Sequence, residues 1–180
     1  MKKVILTVIM TFCLSFIGFC QNTITFKGIP IDGSIKIFSS ALENLGYENI
    51  EADEVVFYGE FNGQKSFINP QTVNNKVWRV AILDAKSTDK NSIINRFNEL
   101  FNQFINNPKY VHHDGSVIPS DEDINYNILV KDFRYEASFC LSDTSINGLV
   151  WFMINRKNSE EFNIIMFYEN WDNKANGSDL

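Results

Sequence analysis

LVWFMIN at residues 149–155 and FNIIMFY at residues 162–168 are apolar on both sides of a two-residue repeat. Side chains alternate across a strand. Val150, Phe152 and Ile154 therefore face one way and Leu149, Trp151 and Met153 the other. In the second stretch Phe162, Ile164, Met166 and Tyr168 oppose Ile165 and Phe167. The polar run from Arg156 to Glu161 is a turn, so the two strands pair antiparallel. An antiparallel sheet with one buried face shows one apolar and one polar set of side chains. Two apolar sets call for a second cover, either loops of the chain or a partner.

Upstream, Phe133–Leu141 reads as a third strand of this group, closed by a turn at Asp143–Gly148. Ile93, Ile94, Phe97, Leu100, Phe101, Phe104 and Ile105 recur at helical spacing and predict a helix over 91–106, ended by Pro108. Before it come strands at Val55–Phe61, Lys65–Asn69 and Val77–Leu83. Asn62-Gly63 and Asn74-Asn75 are their turns, and Pro70 is read as the end of the middle strand. Ile35, Phe38, Ala41, Leu42 and Leu45 predict a helix over Ser34–Leu45 that stops at Gly46. Thr23–Ile31 reads as a single strand ahead of it. The region from His112 to Asn127 reads as a polar loop, and Trp171–Leu180 as a flexible tail.

The expected fold is α+β, in the order β-α-β-β-β-α-β-β-β. An antiparallel sheet carries two helices on one face, and each half has a strand, a helix and a meander, a possible pseudo-repeat. The run Phe26-Lys27-Gly28-Ile29-Pro30-Ile31-Asp32-Gly33, a helix ending in Leu45-Gly46-Tyr47, and a closing strand into Tyr168-Glu169-Asn170 resemble an uncharacterised family of small exported proteins of Bacteroides-type bacteria. The resemblance implies export and α+β architecture, and it carries over no catalytic residue.

The N-terminus points the same way. Lys2 and Lys3 precede an apolar run over Val4–Phe19, and Gly18-Phe19-Cys20 offers small residues at a cleavage site before Gln21. This is the layout of a signal peptide over 1–20, leaving one domain over 21–170 and a periplasmic or secreted protein. The run is shorter than the roughly 20 residues a membrane span needs, so no transmembrane segment is expected after cleavage. Lipidation at Cys20 is the weaker ending, because bulky Phe19 stands directly before it. Losing two lysines takes the net charge from −6 to −8, which excludes a basic surface for nucleic acid. Cys13 and Cys20 leave with the signal, and Cys140 alone can form no internal disulfide.

Chemistry-bearing residues are sparse. His112-His113-Asp114 offers metal-ligand types, but neighbours on an extended chain point opposite ways. Asp121, Asp123, Asn125 and Asn127 alternate like a calcium loop, with Tyr126 where that loop needs Gly. Cys140 with either histidine is the only nucleophile–base combination considered, and no nucleotide-binding, zinc-protease or nucleophile-elbow motif occurs. No cofactor is implied. The expectation is a non-enzymatic binding module of the cell envelope that meets a protein or peptide through Trp151, Met153, Ile165 and Phe167. The alternatives are a carbohydrate-binding module using Trp78, Trp151 or Trp171, and a metal-dependent enzyme built on His112, His113, Asp121 and Asp123.

Overall fold

The computed structural model describes residues 23–51 and 55–175. The expected signal peptide, with Cys13 and Cys20, lies outside them. Among the described residues the fold is mixed α+β and dominated by an antiparallel eight-stranded sheet, with a separate two-stranded hairpin and four helices.

Thr23–Ile31 is not one strand. It folds into a hairpin of β1 (Thr25–Phe26) and β2 (Ile29–Pro30). Lys27 and Gly28 both have positive φ, 51° and 82°, which makes the turn between them tight. Helix α1 (Ile35–Asn44) follows, with the Ser34 side chain accepting from the Ile37 amide at its N-terminus. A short β3 (Glu48–Asn49) leads to the meander β4 (Phe57–Phe61), β5 (Gln64–Val73) and β6 (Lys76–Asp84). Both predicted turns form, with positive φ at Asn62 and Gly63 and at Asn74 and Asn75. Pro70 does not end β5, which continues to Val73. Strand β4 pairs only as far as Ile68, so Pro70, with no N–H to offer, lies beyond the stretch paired on that side.

Helix α2 (Lys90–Ile105) is capped by the Asp89 carboxylate, which accepts from the amides of Asn91 and Ser92. The stretch read as a loop holds an edge strand, β7 (Tyr110–Asp114), and a short helix, α3 (Ile124–Val130). Strands β8 (Glu136–Leu141), β9 (Gly148–Arg156) and β10 (Phe162–Asn170) complete the sheet. The start of the expected tail is instead helix α4 (Trp171–Ala175). Its Asn173 is buried and donates to the carbonyls of Ile31 and Val77, which ties it to the N-terminal hairpin region.

The strand order is β3-β4-β5-β6-β10-β9-β8-β7. Each half runs from one edge inward, and the last strands of the two halves, β6 and β10, pair at the centre. The core lies on the side of Phe139, Val150, Phe152, Val80 and Ile82. Phe38 and Leu42 of α1 join it. From α2, Phe97 meets Phe152 edge-on at 5.0 Å, and Phe104 stacks on Phe139 at 4.8 Å. Burying rings of this size contributes about 2–3 kcal/mol each, so these contacts fix where α2 sits.

Candidate functional site: the open sheet face

The opposite face follows from register. Tyr58, Phe67, Leu83, Ile165 and Met153 stand side by side on β4, β5, β6, β10 and β9. At 4.7–4.9 Å per strand this row is roughly 20 Å long. All five side chains remain part-exposed. The next row is Asn69, Ala81, Phe167, Trp151 and Ser138, and the third is Gln71, Arg79, Glu169, Leu149 and Cys140. The face thus grades from apolar at one end to charged at the other.

Trp151 and Phe167 stack with ring centroids 4.2 Å apart. The Trp151 indole Nε1 donates to Glu169 Oε1 at 3.0 Å, and the Trp171 indole Nε1 donates to Glu169 Oε2 at 2.7 Å. Arg79 pairs with the same carboxylate at 2.5 Å. Its guanidinium also lies 4.2 Å from the Trp78 ring centroid and 5.1 Å from that of Phe167. The three tryptophans of the chain therefore converge on one ion pair, whose carboxylate is only 5% exposed. A buried carboxylate is tolerable when each oxygen accepts a strong donor. Here the accepting carboxylate holds the indoles in place, and Trp171 stays 41% exposed.

Beside Trp151 the face dips into a hollow of about 290 Å³ lined by His113, Asp114, Glu136, Ala137, Ser138 and Leu149. His113 Nδ1 lies 3.2 Å from Ser138 Oγ. His112 points the other way, with its ring against Phe101 and Phe139 and its Nε2 2.9 Å from the Gly115 carbonyl. The neighbouring imidazoles do not converge. Asp123 instead caps α3, accepting from the Tyr126 amide. Asn125 contacts Arg156 and Ser159, while Asn127 is buried against Tyr135. The alternating calcium-like residues thus build a helix start rather than a ligand ring. Among the described residues no three His, Cys, Asp or Glu side chains gather as metal ligands. Cys140 shares the open face with Ser138 and is separated from His112 by the sheet.

Sequence reasoning named Trp151, Met153, Ile165 and Phe167 from alternation in β9 and β10. It missed Phe67 and Leu83, which the same alternation would have found in β5 and β6. It also missed Arg79 and Glu169, whose partnership depends on the pairing of β6 with β10.

No family model, curated protein or solved structure matches the chain. No helix among the described residues is long and apolar enough to cross a membrane.

Proposed function

We propose that this is an exported, non-enzymatic binding module of the cell envelope that docks a polypeptide on its open sheet face. The observation that carries the reading is the row Tyr58-Phe67-Leu83-Ile165-Met153 beside the Trp151–Phe167 stack: apolar, contiguous and part-exposed. Surfaces of this kind are uncommon on monomers and mark contact sites. Aromatic anchors whose orientation is already fixed lose little entropy on binding. The one-sided placement of α1 and α2 supports the reading because it leaves this face to the partner. The mirrored strand order further supports a pseudo-repeat of two helix–meander halves joined at β6 and β10.

Trp151→Asp is the test. The variant should lose the partner captured by wild-type protein crosslinked in its native envelope, with its circular dichroism kept and its melting temperature lowered, since it gives up the Phe167 stack and a donor to Glu169, but its unfolding still cooperative. Unfolding of the variant would make the face core and end the proposal.

A second reading, carbohydrate binding, is favoured by the hollow in which the Trp151 ring faces Glu136, Asp114 and Ser138. A sugar presents C–H bonds to an aromatic ring and hydroxyls to carboxylates. Binding on a glycan array that Trp151→Asp abolishes would replace the polypeptide reading.

A further inference from the structure

A second concavity, independent of the open face, lies where the N-terminal hairpin, β4, α2, β7 and β10 meet. Its volume is about 280 Å³, near the lower end of the roughly 300–1,000 Å³ range of small-molecule sites. Phe61, Phe104 and Met166 line it together with polar groups of Asn62, Gln103 and Tyr110, and Asn62 Nδ2 donates to Gln103 Oε1 at 2.8 Å. Apolar side chains with polar groups among them are the lining small-molecule sites use.

Charge narrows the ligand. The chain carries −6 overall, yet no Asp or Glu lines this cavity, and Lys27 stands on its wall. Lys27 stands in the tight turn, exposed, with its ammonium 5.9 Å from the Phe61 ring centroid. Lys109, outside the lining, places a second cation 5.8 Å from the Tyr110 ring centroid, where its ammonium donates to the Thr25 hydroxyl at 3.4 Å. Neither lysine forms an ion pair among the described residues. Burial raises the pKa of Tyr110 and of the deeply buried Tyr168, so both hydroxyls keep their protons at neutral pH.

We propose that this cavity binds a small carboxylate with an apolar body. The carboxylate takes Lys27 and the Tyr110 hydroxyl, and the body rests on Phe61, Phe104 and Met166. The site does not depend on the open-face reading.

Three isosteres test it: phenylacetate, neutral phenylacetamide and cationic phenethylamine, titrated into the purified protein by NMR. Phenylacetate should bind saturably and shift the Tyr110 amide, with phenylacetamide about tenfold weaker and phenethylamine absent. Lys27→Met should weaken phenylacetate to the phenylacetamide level, Lys27→Arg should retain it, and Trp151→Asp should leave it unchanged. Lys109→Met should weaken it less than Lys27→Met, which gives a second reading should Lys27→Met fail to fold. No saturable phenylacetate binding, equal binding of the amide, or indifference to loss of the Lys27 charge would overturn the proposal.

Discussion

Strand β6 serves two surfaces, and each carries an ion pair anchored on it. On the covered side Asp84 meets Arg96 of α2 at 3.2 Å, with their side chains 10% and 13% exposed. On the open side Arg79 meets Glu169 of β10 among three indole rings. The covered pair lies among polar neighbours such as Ser66 and Asn163 and links sheet to helix, and Arg96 also donates to the Asn62 carbonyl. The open pair connects two neighbouring strands that backbone hydrogen bonds already join. Its added effect is to orient side chains that point away from the core. Alternation alone therefore separates, on one strand, residues that hold the fold from residues that shape a surface.

The largest expected effect breaks or keeps that division directly. Phe152 and Phe167 stand on neighbouring strands, but Phe152 is fully buried against Phe97 and Phe104, while Phe167 is part-exposed. Phe152→Ala should cost about 3–5 kcal/mol in urea unfolding. Phe167→Ala should cost about 1 kcal/mol, mainly the stack with Trp151. Equal losses would show that both faces are core, and the binding proposal would fall with the distinction.

A smaller effect separates orientation from stability. Arg79→Met leaves the Glu169 carboxylate buried with only two indole donors, at a cost of about 2–3 kcal/mol. Arg79→Met combined with Glu169→Gln removes the stranded charge but keeps an acceptor oxygen for only one of the two indoles, and it should regain part of the loss. Near-ultraviolet circular dichroism would then show the tryptophan signal nearer to wild type in the double variant than in the single one. A double variant no more stable than the single would make the ion pair itself the stabilising element.

How much of this was readable in the sequence follows from the range of each signal. Asn62-Gly63, Asn74-Asn75 and the helix stripes are local, and all appear where expected. Strand β7 was missed because Tyr110–Asp114 is exposed along most of its length and shows no alternation. Helices α3 and α4 span 7 and 5 residues, too short for a stripe to emerge. Lys27-Gly28 was read as part of a strand because its flanks, Phe26 and Ile29, are apolar on both sides of the turn. The open face was readable in outline, since two-sided apolar strands announce it. Its polar device was not, because Arg79 and Glu169 lie in opposite halves of the chain and meet only through the central pairing. The proposed carboxylate cavity draws on five separate elements, the N-terminal hairpin, β4, α2, β7 and β10, and had no local trace.

The smallest effect concerns the covered pair and its pH dependence. Asp84 is buried, and desolvation raises its pKa above the ordinary 3.8, against the lowering influence of Arg96 and the Ser66 hydroxyl. In the unfolded chain the group returns to its ordinary value, so between the two values the folded protein holds the extra proton. Stability contributed by this group therefore falls as pH rises through that window. The ionised form carries its full desolvation cost above the folded pKa, and the cost is relieved as pH drops toward 3.8. Urea unfolding across pH 4–7 should show that slope in wild type and lose it in Asp84→Asn, whatever the variant's absolute stability. The slope, rather than the midpoint, is the informative readout, because asparagine also alters the contact with Arg96. An unchanged slope would mean that Arg96 and Ser66 fully offset burial at Asp84. The covered pair would then be as well balanced electrostatically as a surface pair, and the contrast between the two sides of β6 would rest on packing alone.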